Sequence, residues 1–163
     1  MKYRWIVIII AILCIPPFEA HCQKAVILVR HTERLDQSAD SVLSPLGIER
    51  ARVLAERLKD AGIRAIYSSE RRRSIQTAEP VAALLKINLI AMPSANAGEM
   101  ITRIQRENAN DIVLIVGHSN TIPDLIKRFG AAEQLNIADP EYDNLFILIP
   151  QAGRPALLLR LHF

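Results

Sequence analysis

Two stretches, AVILV at 25–29 and IVLIV at 112–116, are unbroken runs of apolar residues, and each leads directly into polar chemistry: Arg30-His31 after the first, Gly117-His118 after the second. A half-buried strand alternates apolar and polar positions. A run with no polar position leaves no face for water and belongs inside a parallel sheet covered on both sides. Ligands of such sheets bind outside the carboxyl ends of the strands. Two buried strands that both end in histidine therefore aim two imidazoles at one rim.

The intervening sequence supplies the covering helices. Ser44-Pro45 read as N-cap and first residue of a helix, with Ile48, Ala51, Leu54, Ala55 and Leu58 on one face and Gly62 ending it. Ile63–Tyr67 read as a second strand, and Ser68–Glu70 as the start of a helix whose inner face includes Ile75, Ala78, Ala82 and Leu85. Ile87–Ala91 form a third strand, Glu99–Arg106 a short helix, and a further helix follows His118 as far as Phe129. Leu145–Ile149 and Ala156–Leu161 read as two final strands. This alternation defines the expected fold class: α/β, a single three-layer domain with a mostly parallel sheet and helices on both faces.

The second strand runs into YSSERRRSIQTA, three consecutive arginines at the start of a helix. Arg30, His31, one of Arg71–Arg73 and His118 then share the rim, a set suited to a phosphate dianion. Guanidinium groups bind phosphate oxygens in bidentate fashion, and helix N-termini add amide donors. A zinc site on the two histidines is disfavoured, since adjacent arginines repel a dication and no Cys or acid completes a ligand set. The net charge of +3 is modest and no basic stripe is interleaved with aromatics, so nucleic acid is not an expected partner.

The N-terminus stands apart. Lys2 and Arg4 precede an apolar block, Trp5–Ile15, broken by Pro16-Pro17 and followed by Phe18-Glu19-Ala20. The block is short for a membrane span, so residues 1–20 read as a secretory signal peptide and 21–163 as the domain. The alternative is an uncleaved anchor. Cleavage would leave Cys22 as the sole cysteine and no internal disulfide. The expected location is the bacterial periplasm, with no membrane span after processing. The sequence is silent on oligomeric state.

These residues resemble the histidine phosphatase superfamily, the phosphoglycerate mutase-like fold in its short branch-1 form. Arg30-His31-Thr32-Glu33 resembles the Arg-His-Gly signature, with Thr for the usual Gly. DSVLSPLGIERARVLAERL from Asp40, IYSSERRRSIQTAEPVA and VLIVGHSNTI resemble the blocks that follow it, so the likeness covers Val26 to Phe129 in four ordered segments and extends to EYDNLFIL near the C-terminus. Aligning Ser68-Ser69 and Thr77-Ala78 selects Arg73 as the phosphate-binding arginine. The resemblance implies His31 as nucleophile, forming a phosphohistidine, with Arg30, Arg73 and His118 holding the phosphoryl oxygens and no metal or other cofactor. It also implies a proton donor after the third strand, where Glu99 is the one acid; the bland reading is that Glu99 only favours its helix N-terminus. The expected function is a metal-independent phosphatase acting on small phosphomonoesters or phosphoramidates. The alternatives are a non-catalytic phosphate-binding module and, less favoured because mutases of this fold are longer, a phosphomutase.

Overall fold

A computed structural model describes residues 23–163. The signal peptide expected at residues 1–20 lies outside them, and no described helix is long and apolar enough to cross a membrane. The elements alternate as expected: β1 (Ala25–Arg30), α1 (Pro45–Leu58), β2 (Ile63–Ser69), α2 (Arg72–Leu85), β3 (Leu89–Met92), α3 (Ala97–Glu107), β4 (Ile112–Gly117), α4 (Thr121–Arg128), β5 (Asn144–Gln151) and β6 (Arg154–His162).

They form one six-stranded sheet in the order β3-β2-β4-β1-β5-β6. β3, β2, β4 and β1 are parallel, while β5 runs antiparallel to β1 and β6 antiparallel to β5. β1 and β4 are the central pair and are buried along almost their whole length, which is why neither sequence alternates. One face packs Val26, Leu28, Val113 and Ile115 against α3 and α4 through Ile104, Ile122 and Ile126. The other packs Ile27, Val29, Leu114 and Val116 against α1 and α2 through Leu54, Leu58, Ala78 and Val81.

Local chemistry sets the element ends. The Ser44 hydroxyl accepts from the Gly47 amide at 3.1 Å, with Pro45 in the first turn of α1, as the sequence predicts. Ile48, expected on the buried face, is 45% exposed; Gly47 is buried there instead, pressed against the backbone of Glu33. Ser68 and Ser69 belong to β2 rather than to the following helix, since they pair with β3, and Ser68 also with β4. α2 begins at Arg72, where the amide donates to Asp40 Oδ1 at 3.0 Å. β3 starts two residues later than expected because Lys86 adopts a left-handed conformation (φ 57°) and the Ile87 amide closes onto the Ala82 carbonyl.

Candidate active site

β1 and β4 are in register, with Arg30 opposite Gly117, and the His31 amide donates to the Gly117 carbonyl at 2.8 Å. The residues that follow the two strands are therefore neighbours. The His31 and His118 rings lie 5.2 Å apart between centroids, inclined at 66°. Gly117 keeps this junction close: a Cβ there would press on the Thr121 hydroxyl and the Ile122 side chain, which would have to shift.

His31 is 4% exposed. Its Nδ1 lies 2.7 Å from the Thr32 carbonyl. A carbonyl can only accept, so Nδ1 carries the proton and the Nε2 lone pair is left free. Burial, reinforced by the neighbouring His118, Arg73 and Arg30 and opposed by the Thr32 hydrogen bond, lowers the His31 pKa to about 3. The loop is fixed from behind. The Thr32 amide donates to Thr77 Oγ1 at 3.0 Å, the Thr32 hydroxyl to the Gly47 carbonyl at 2.8 Å, and the Thr77 hydroxyl to the Arg73 carbonyl at 2.7 Å. Glu33 is held by Arg50, Nη2 to Oε1 at 2.7 Å.

The first turn of α2 delivers Arg73. Its Nη2 is 3.5 Å from His118 Nδ1, a long contact in which the guanidinium must be the donor. That orientation leaves the proton of neutral His118 on Nε2. Burial first, then Arg73, Arg71 and Arg30, lower the His118 pKa to about 4, against an opposing contribution from Glu70. Arg73 Nη1 donates to the Ala39 carbonyl at 2.8 Å, and the Leu43 amide to Gln76 Oε1 at 2.9 Å, so the β1–α1 loop is stapled to α2. Arg30 is 3% exposed and faces the loop before β5. Its Nη1 donates to the carbonyls of Ala138 (2.9 Å) and Asp139 (2.8 Å), and its Nη2 pairs with Asp139 Oδ1 at 3.0 Å. The Tyr142 ring lies 4.1 Å from the Arg30 guanidinium carbon. The Nε donors of Arg30 and Arg73 are both buried without a partner among the described residues.

These groups line one cavity of about 380 Å³, together with Arg34, Arg71, Ser94, Ser119, Asn120 and Asp139. The structure thus brings Arg30, His31, Arg73 and His118 together. Glu99 it does not. α3 buries Met100, Ile101 and Ile104, which turns Glu99 to the opposite, solvent side. There it accepts from Asn96 Nδ2 at 2.9 Å and lines a separate groove with Thr102, Arg103 and Arg106. The expected acid is therefore outside the cavity. Asp139 and Tyr142, to which sequence reasoning gave no role, come from the connection before β5, which has no periodicity. Arg71, beside Arg73 in sequence, lines the cavity wall as well.

Two neutral imidazoles among four guanidiniums, at the carboxyl edge of a largely parallel sheet, define an α/β domain built to handle a tetrahedral oxyanion. Residues 26–96 match the model of the histidine phosphatase superfamily (branch 1). A relative described as a probable phosphoglycerate mutase, GpmB, from Proteus mirabilis (strain HI4320) is 38% identical over 91 residues, 52% of this chain and 42% of that relative. The chain thus spans less than half the length of the curated relative it matches. Among solved structures, the protein histidine phosphatase SixA complexed with tungstate superposes with a TM-score of 0.71 at 18% identity, over 85% of this chain and 96% of that one. The alpha-ribazole phosphatase from Shigella flexneri gives a TM-score of 0.70 at 17% identity, over 85% and 96%. At these identities the likeness is one of fold.

Proposed function

We propose that the protein is a metal-independent phosphatase of small phosphomonoesters or phosphoramidates, acting through a phosphohistidine on His31. The observation that carries this reading is the state of His31: neutral, with Nδ1 as donor to the Thr32 carbonyl and Nε2 free, beside Arg73 and His118. Nε2 attacks phosphorus as the bond from phosphorus to the leaving oxygen or nitrogen breaks. Arg73, the Nε2–H of His118 and the remaining donors of Arg30 hold the phosphoryl oxygens and offset the charge that builds on them. Water then attacks phosphorus, the N–P bond breaks, and His31 is restored. With Glu99 turned away from the cavity, phosphoramidates are favoured, because their nitrogen can take a proton from solvent and leave as a neutral amine or imidazole, whereas an alkoxide needs a proton donor in the site. We also propose that residues 1–20 direct export to the periplasm, where this activity would act.

The test is hydrolysis of p-nitrophenyl phosphate and of phosphoramidate in the presence of EDTA. Wild type turns over both. His31→Ala abolishes both, and Arg73→Ala lowers the rate on the order of 10²-fold or more. Activity that survives His31→Ala removes His31 as nucleophile. Binding of phosphate without turnover of either substrate favours a non-catalytic module, and transfer to an added acceptor in preference to water favours a mutase.

A further inference from the structure

Arg30 is held in two ways. Its Nη1 lies within hydrogen-bonding reach of the main-chain carbonyls of Ala138, Asp139 and Glu141, at 2.9, 2.8 and 3.4 Å. The turn that presents them is braced independently of the Asp139 side chain. The Glu141 amide donates to the Ala138 carbonyl at 3.0 Å, Glu141 Oε2 accepts from the Ala138 amide at 2.9 Å, and Glu141 Oε1 pairs with Arg160 at 3.2 Å. The second hold is the Asp139 carboxylate, which takes a donor of Nη2 at 3.0 Å. It differs from the first in kind: the Arg30 side chain is 3% exposed, whereas that of Asp139 is 78% exposed and lines the cavity beside His31.

A guanidinium has five N–H donors. The carbonyls use the two on Nη1. Of the three left for a ligand, Asp139 takes one. An anionic oxygen therefore already sits on one of the donors that the main chain leaves open, while Nε–H and the second Nη2–H stay without a partner among the described residues. We propose that Asp139 is a built-in competitor at this site: its carboxylate holds one of the three Arg30 donors that a phosphoryl group can use and sets a negative charge beside it, so Asp139 weakens the binding of phosphate. The inference rests on the phosphate-handling reading of the cavity. A carboxylate this exposed gains little from its pair and moves aside readily. Because three carbonyls still orient Arg30, removing the carboxylate frees a donor without releasing the guanidinium. The consequence is easier departure of the inorganic phosphate that hydrolysis leaves behind.

The sign of the effect separates this role from a positioning one. Titration of inorganic phosphate into the wild-type protein, Asp139→Asn and Asp139→Ala, followed by calorimetry at neutral pH, should give Kd values lower in both variants by roughly two- to fivefold. The inhibition constant for phosphate in turnover should fall in parallel. Phosphate that binds the wild type but binds the variants equally or more weakly overturns the competitor role and leaves the phosphatase reading standing. Phosphate that binds none of the three overturns both.

Discussion

Acidification from pH 7 to pH 5 should destabilise this protein through its two cavity histidines. In the unfolded chain each imidazole takes up a proton below about pH 6.5, whereas in the folded protein burial holds His31 near 3 and His118 near 4. The unfolded state therefore binds more protons across the whole interval. The stabilisation is complete above pH 6.5 and is lost progressively as the pH falls towards those folded values. Integrated from pH 7 to pH 5, the linkage amounts to about 2 kcal/mol for His31 and somewhat less for His118, which keeps more contact with solvent. Carboxylates titrate mainly below this window, so the histidines dominate it. Urea unfolding followed by circular dichroism at the two pH values measures the difference directly. The double variant His31→Asn/His118→Asn, with no imidazole to charge, should lose most of the dependence. A double variant as pH-sensitive as its parent, or a parent equally stable at both values, would refute the reasoning.

Two further outcomes follow from the packing around the site. Gly47→Ala puts a methyl group onto the Glu33 carbonyl, so either the start of α1 or the loop carrying His31 must shift. The expected cost is about 1–3 kcal/mol by urea unfolding, with a fall in kcat because the loop moves. Glu99→Gln changes a side chain on the solvent side of α3 and should alter kcat/KM for phosphomonoesters by no more than about twofold; a loss of tenfold or more would return Glu99 to the chemistry.

What the sequence revealed depended on how many independent constraints acted on each residue. β1 and β4 were legible because burial on both faces removes every polar position, and their histidines were legible because each strand ends in one. α1 was bounded by a cap, a proline and a glycine that each have one structural meaning. Arg73 could be singled out from three adjacent arginines only through the resemblance of its surroundings to a known block; the charge pattern alone does not separate it from Arg71 and Arg72. Glu99 is the candidate that lies outside the cavity, and a signal for that placement was present: Met100, Ile101 and Ile104 share one helical face, and the 3.6-residue period turns position 99 away from it. Asp139 and Tyr142 carried no such signal. They lie in a connection without periodicity, where only the tertiary contacts to Arg30 decide where the side chains go.

On the proposed chemistry, the burial that costs stability in acid is also what makes His31 usable. A protonated imidazole has no lone pair on Nε2 and cannot attack phosphorus. The arginines therefore act twice, attracting the phosphoryl group and discouraging His31 from taking a proton before it arrives. Once a dianion binds, it offsets those cations and draws the His31 pKa upward. A resting value near 3, well below neutrality, leaves room for that rise while Nε2 keeps its lone pair in the complex. A histidine resting at the ordinary value would be pushed by the same dianion towards the protonated, unreactive form, so the depth of the pocket around His31 matters as much as the identity of the residue.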